Sequence, residues 1–252
     1  MTIIVTYATE QQLSSADTLA QKLGLRCTPL QEAENTLALN VTPNYLEIRD
    51  LQQNIAIHVD FVSGSLAHRR QYGGGKNQPL AKAVGMKPGF TPHVLDATAG
   101  LAKDAFVLAT LGCPVTMLER SPYVAALIQD AIQRAAQDDL FAPLLLNGFE
   151  LINANAIEYL PTISEDKKPD VIYLDPMYPE KQKSALVKKN MQILQKLLGQ
   201  DEDTEQLLTT ARQCAKKRVV VKRPKGANFI GNIKPSFDVA SKNTRYDVYL
   251  PI

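Results

Sequence analysis

The chain has 252 residues, 45% of them hydrophobic and 21% charged, with a formal net charge of +2. This is the profile of a soluble globular protein able to bury a sizeable core, and it excludes a polycation, so any nucleic-acid surface must be local. Cys27, Cys113 and Cys214 lie far apart with no CxxC pair, which argues against a zinc site or a disulfide framework and fits a reducing cytoplasm.

The opening residues Met1-Thr2-Ile3-Ile4-Val5-Thr6-Tyr7 have neither a basic n-region nor a long apolar h-region, so no signal peptide is expected. No apolar run reaches the roughly 18 residues of a membrane span. A cytoplasmic protein is expected. Residues 1–62 read as a small α/β unit: a strand at 2–7, a helix at 15–23 ending at Gly24, a hairpin from 36–41 and 45–49, and a third strand at 55–62. No chemistry is visible in it.

Residues 63–92 form a connecting segment with no acid, containing His68-Arg69-Arg70-Gln71-Tyr72-Gly73-Gly74-Gly75-Lys76. Solvated charges on a linker would explain it. A basic, glycine-rich loop contacting RNA phosphates is the functional alternative, with Arg69 and Arg70 as its candidates.

Residues 93–252 alternate strand and helix. Strands are expected at 93–96, 114–118, 150–153, 170–174 and 218–222, with helices at 102–111, 122–136, 184–198 and 202–215. A hairpin from 237–240 and 246–250 closes the chain. The pattern implies a mainly parallel, Rossmann-like α/β sheet with antiparallel pairing at one side.

Two ends of strands carry the chemistry. Asp96-Ala97-Thr98-Ala99-Gly100 is a tight small-residue turn before a helix, which lets a ligand approach the backbone, and Glu119 ends the following strand. A carboxylate about 20 residues after such a turn suits the two ribose hydroxyls of an adenosine ligand. A plain turn glycine and a solvated charge would explain the pieces singly; their pairing on consecutive strands favours a cofactor. The single Gly100, without G-x-G-x-x-G, counts against a pyrophosphate and points to S-adenosylmethionine. Further along, Asp175-Pro176-Met177-Tyr178 follows the run Val171-Ile172-Tyr173-Leu174. An acid that accepts from an exocyclic amine, beside a ring that stacks on a base, suits a flipped nucleobase. No metal is required.

On these motifs the chain resembles class I S-adenosylmethionine-dependent methyltransferases, and more closely the bacterial ribosomal RNA small subunit methyltransferase J family. The resemblance also runs through Lys103-Asp104-Ala105-Phe106-Val107-Leu108, Met117-Leu118-Glu119-Arg120 and Lys217-Arg218-Val219-Val220-Val221-Lys222-Arg223-Pro224, and covers roughly residues 55–252. It implies methylation of the exocyclic N2 of a guanosine in 16S rRNA or the small ribosomal subunit. It implies cofactor contacts at Lys103, Asp104, Glu119, Arg120, Asn155, Ala156 and Asp175, beside Asp96 and Gly100, which the turn itself makes cofactor-binding candidates. Asp175, Pro176 and Tyr178 become the catalytic candidates, and Lys222 and Arg223 join Arg69 and Arg70 as candidate RNA contacts. Thr98 and Ala102 stand where the wider superfamily usually has glycines, and Met177 replaces the second proline of D/N-P-P-Y/F. The rival readings are an amino-methyltransferase of adenine or protein glutamine, and a non-catalytic RNA-binding or ribosome-assembly module.

Overall fold

The computed structural model describes residues 3–34, 37–63, 75, 78–139, 141–177, 185–199 and 203–252; the side chains of residues 185–190 are not described. Its contacts divide the chain into two units, one of residues 1–60, 121–134 and 177–200, the other of residues 61–120, 135–176 and 201–252. Neither is one continuous stretch. Among the described residues no helix is long and apolar enough to cross a membrane, and no group of three or more His, Cys, Asp or Glu is placed to hold a metal ion.

The first unit is built on a five-stranded sheet of β1 (Ile3–Tyr7), β2 (Cys27–Pro29), β3 (Leu37–Val41), β4 (Leu46–Asp50) and β5 (Ile55–Ile57), ordered β2-β1-β3-β4-β5. The expected hairpin is present as the antiparallel pair β3–β4. The third strand is shorter than expected: only Ile55, Ala56 and Ile57 pair with β4, and the chain then leaves the ladder while still burying Val59 and Phe61. Strand β2 was not foreseen. It is three residues long, ends in proline, and is held by parallel pairing to β1, a non-local contact that leaves no periodicity to read. Helix Pro122–Ala135 attaches to this unit through Asp130, whose Oδ2 accepts from Leu46 N–H at 3.1 Å and from Arg134 Nε at 2.8 Å.

The second unit carries a seven-stranded sheet of β6 (Val94–Asp96), β7 (Val115–Glu119), β8 (Phe149–Asn153), β9 (Val171–Leu174), β10 (Arg218–Pro224), β11 (Phe237–Ala240) and β12 (Thr244–Tyr249), ordered β11-β12-β10-β9-β6-β7-β8. Strands β6 to β10 run parallel; β12 pairs antiparallel with both β10 and β11. Val171-Ile172-Tyr173-Leu174 is buried on both faces, which is why it reads as a continuous apolar run. Ile172, Leu174, Val219 and Val221 pack on one face against Leu207, Leu208 and Ala211 of helix Thr204–Cys214. Phe61, Phe106, Phe141 and Phe149 form an aromatic cluster elsewhere in the core, with Phe61 and Phe106 centroids 5.1 Å apart.

The chain runs outward from β6 to β7 and β8, then returns to β9 and β10 on the other side. The order therefore reverses between β6 and β9, and in open α/β sheets the crevice at the carboxyl ends of such strands is the ligand site. Asp96, Glu119 and Asp175 all fall at this end.

Candidate active site

The turn after β6 is tied to both neighbouring strands. Ala97 N–H donates to Tyr173 O at 2.9 Å on one side, and Ala99 N–H to Leu118 O at 3.1 Å on the other. Thr98 N–H returns to Asp96 Oδ1 at 3.0 Å. Gly100 has φ +53°, and a Cβ built there would find its nearest neighbour, Thr98 O, at 3.9 Å. No other heavy atom outside the adjoining residues comes within 4 Å of that point, so the turn is uncrowded there. Ala102 also takes a left-handed conformation, φ 56° and ψ 22°, at a cost of roughly 1–2 kcal/mol for a residue with a Cβ. This is the position where the superfamily's usual glycine would sit without strain.

The turn and the carboxylate that the sequence paired are in direct contact: Gly100 N–H donates to Glu119 Oε2 at 2.9 Å. Asn153 Nδ2 donates to Glu119 O at 2.7 Å, joining the end of β8 to the same point. Asn155 caps helix Ala156–Tyr159 by accepting from Ile157 N–H at 2.9 Å, and Ala156 is buried. Arg120 meets Asp203 at 3.2 Å. Lys103 opens helix Lys103–Thr110 in an exposed position.

Beside the turn lies a charge cluster that the sequence did not reveal. In the parallel pair β9–β10, Leu174 is level with Val221, so Asp175 and Lys222 follow at the same height. Lys222 Nζ stands 2.7 Å from Asp175 Oδ2 and 2.7 Å from Asp104 Oδ2, and Tyr173 Oη donates to Asp104 Oδ2 at 2.7 Å. Burial alone would lower the Lys222 pKa, but the Asp175 and Asp104 carboxylates raise it above the ordinary lysine value. The ammonium is therefore fully charged at neutral pH. Burial, with the charges of Asp104 and Asp175, raises the phenol of Tyr173 well above its usual range, so it stays a donor. Burial likewise pushes Asp96 up to about 8 despite the Thr98 N–H, with Asp104 and Asp175 adding to the rise and Lys222 opposing it.

Thr98, noted in the sequence only as a departure from glycine, has a positive role. Its Oγ1 accepts the main-chain N–H of Asp175 at 2.6 Å. A glycine could not make this bond, which locks the start of the Asp175-Pro176 corner to the turn after β6. Pro176 is buried, and the residue before a proline favours the extended backbone that carries the chain out of β9.

Of the candidate RNA contacts, Lys222 is paired with the Asp104 and Asp175 carboxylates, with its side chain 26% exposed. Arg223 is 6% exposed and its Nη2 donates to Asn228 O; alternation along β10 turns it to the face opposite Lys222. Arg69, Arg70 and Tyr178 lie outside the described residues.

A family model described as "Putative SAM-dependent methyltransferase" matches residues 18–251. A protein of Nitrosococcus oceani named ribosomal RNA small subunit methyltransferase J is 46% identical over 242 residues, 95% of each chain. One of the same name from Aeromonas salmonicida is 54% identical over 215 residues, covering 84% of this chain and 86% of its own. Among solved structures, a SAM-dependent methyltransferase from Neisseria gonorrhoeae superposes with a TM-score of 0.73 at 33% identity, over 98% of this chain and 96% of that one.

Proposed function

The chain belongs to the SAM-dependent methyltransferase family, and from that premise we propose that it methylates the exocyclic N2 of a guanosine in small-subunit ribosomal RNA. The observation that carries this reading is the joined arrangement of turn, ribose-type carboxylate and Asp175-Pro176 corner at one sheet end. Its relatives named as small-subunit ribosomal RNA methyltransferases support RNA as the substrate.

The residues fit S-adenosylmethionine. Gly100 leaves room over the turn, Glu119 offers a carboxylate at the end of β7, and Asp104 and Asp175 supply acceptors for an amino-acid ammonium. Bound there, the cofactor supplies an already activated methyl group, so the protein's task is alignment. Glu119 would hold ribose hydroxyls. Asp175 and the Pro176 carbonyl would accept from the guanosine amino group, fixing its lone pair in direction. Tyr178, the next aromatic in the chain, would stack on the flipped base. Lys222 holds the Asp175 carboxylate in one orientation, while the Thr98 hydroxyl fixes its backbone.

Incubation with radiolabelled S-adenosylmethionine and small-subunit ribosomal RNA from cells lacking this protein, followed by nucleoside digestion, tests the proposal. Label in N2-methylguanosine at one position is the expected result. Label in adenosine or in a ribosomal protein would replace the substrate.

A further inference from the structure

Immediately beyond Lys222, the chain leaves β10 through Lys225-Gly226-Ala227-Asn228-Phe229, and this short surface loop is held by two arginines. Arg245 Nη1 donates to Lys225 O at 2.8 Å and its Nη2 to Ala227 O at 2.7 Å; Arg223 Nη2 donates to Asn228 O. Ala227 N–H closes back on Pro224 O at 3.0 Å. Arg223 and Arg245 are direct partners in the β10–β12 register, a placement in which like charges repel. The wholly buried Asp247 offsets this, meeting Arg245 Nε at 2.7 Å and Nη2 at 3.2 Å.

Buried charges of this kind add little net stability, because desolvation offsets their attraction. Here they fix the backbone of an otherwise solvated loop. The loop presents Phe229, an aromatic ring 37% exposed, with the Arg245 guanidinium 4.9 Å from its centroid. Exposed Lys225 lies on the same loop. Its N–H donates to Asn243 O at 3.3 Å, which brings in the β11–β12 turn with exposed Lys242. Because β12 runs antiparallel to β10, with Pro224 opposite Thr244, this turn sits at the same sheet end as Asp175.

We infer that residues 225–229, together with Lys242, form a preorganised platform for an unpaired nucleotide of the substrate RNA, its base stacked on Phe229 and its phosphates met by Lys225 and Lys242. A rigid ring beside cations is the arrangement that single-stranded nucleic acid requires, since every base offers a π-face and every linkage a negative charge. The inference rests on the proposed RNA substrate and adds where that substrate is held.

The test compares wild type with Phe229→Ala, Phe229→Tyr and Lys225→Glu/Lys242→Glu, using deproteinised small-subunit ribosomal RNA and, in parallel, assembled subunits from cells lacking the protein. Phe229→Ala is expected to raise the KM for RNA about 10-fold while leaving cofactor affinity unchanged; Phe229→Tyr restores it, and the double lysine variant flattens the salt dependence of RNA binding. A wild-type KM in Phe229→Ala overturns the platform. If Phe229→Ala fails to fold, the lysine variant decides, and an unaltered salt slope overturns it. Loss confined to assembled subunits makes the loop a ribosomal-protein contact and overturns it as well. Wild-type protein that methylates no RNA refutes the substrate reading, and the platform with it; wild-type methylation with indifferent variants refutes the platform alone.

Discussion

Lys222 and Asp175 form an ion pair at 2.7 Å across the carboxyl ends of β10 and β9, and the same ammonium reaches Asp104 at 2.7 Å. One cation thus sits among the carboxyls of Asp96, Asp104 and Asp175, with Tyr173 donating to Asp104. Tyr246 is the Lys222 neighbour on β12.

Lys222→Met removes the cation paired with Asp104 and Asp175. Methyl transfer should slow by about 100-fold through loss of alignment, while affinity for S-adenosylhomocysteine falls less. Lys222→Arg retains the charge and should recover part of the rate. A purely structural lysine would lower the melting temperature without this split between rate and affinity.

Thr98→Val preserves shape and deletes the acceptor of Asp175 N–H. Leaving that donor without its acceptor costs about 1–3 kcal/mol, visible as a fall in melting temperature of about 2–12 °C. Methyl transfer should fall more steeply than affinity for S-adenosylhomocysteine measured by calorimetry, because the bond positions the acid corner.

Glu119→Gln keeps an oxygen for Gly100 N–H but replaces the charged acceptor offered to the ribose. Charge-assisted bonds are worth about 1.5–3 kcal/mol, so the cofactor KM should rise about 10- to 100-fold with kcat at saturation little changed. A fall in kcat alone would place Glu119 in the chemical step.

Asp96 has a pKa raised from 3.8 to about 8 by burial. The folded protein then binds a proton that the unfolded chain has lost. The stability this contributes is complete below about pH 4, declines as pH rises, and is gone above about 8. His93, lowered from 6.5 by burial, works in the opposite sense, its contribution lost as pH falls, so the comparison must be differential. Between pH 5 and 8, wild type should lose stability relative to Asp96→Asn by on the order of 1 kcal/mol per pH unit, measured by denaturant melts. Parallel curves would show Asp96 ionised throughout.

Gly231→Ala tests the turn Ile230–Asn232 that follows Phe229. Gly231 has φ +55°, and a Cβ there would approach Glu205 Cδ to 2.7 Å. The Glu205 side chain can swing aside, but the backbone angle cannot relax. A loss of about 1–2 kcal/mol is expected in thermal unfolding, with cofactor affinity retained.

What the sequence determined by itself was local. Strand–helix alternation predicted the parallel sheet, and the spacing from Asp96-Gly100 to Glu119, with the Asp175-Pro176 corner, pointed to one end of it, where the turn meets both. Each of these is a signal carried within one element or between neighbouring elements. The tertiary structure alone decided what Lys222 does. Its partners lie 47 and 118 residues away, and only the register of β10 against β9 places it beside Asp175. The same holds for Thr98, whose hydroxyl finds its donor across the reversal of strand order, and for Arg223, which reads as a surface cation until alternation along β10 turns it inward. A side chain's chemistry is fixed by its type. Whether that charge meets water, a phosphate or a buried carboxylate depends on non-local pairing, and no local pattern encodes that.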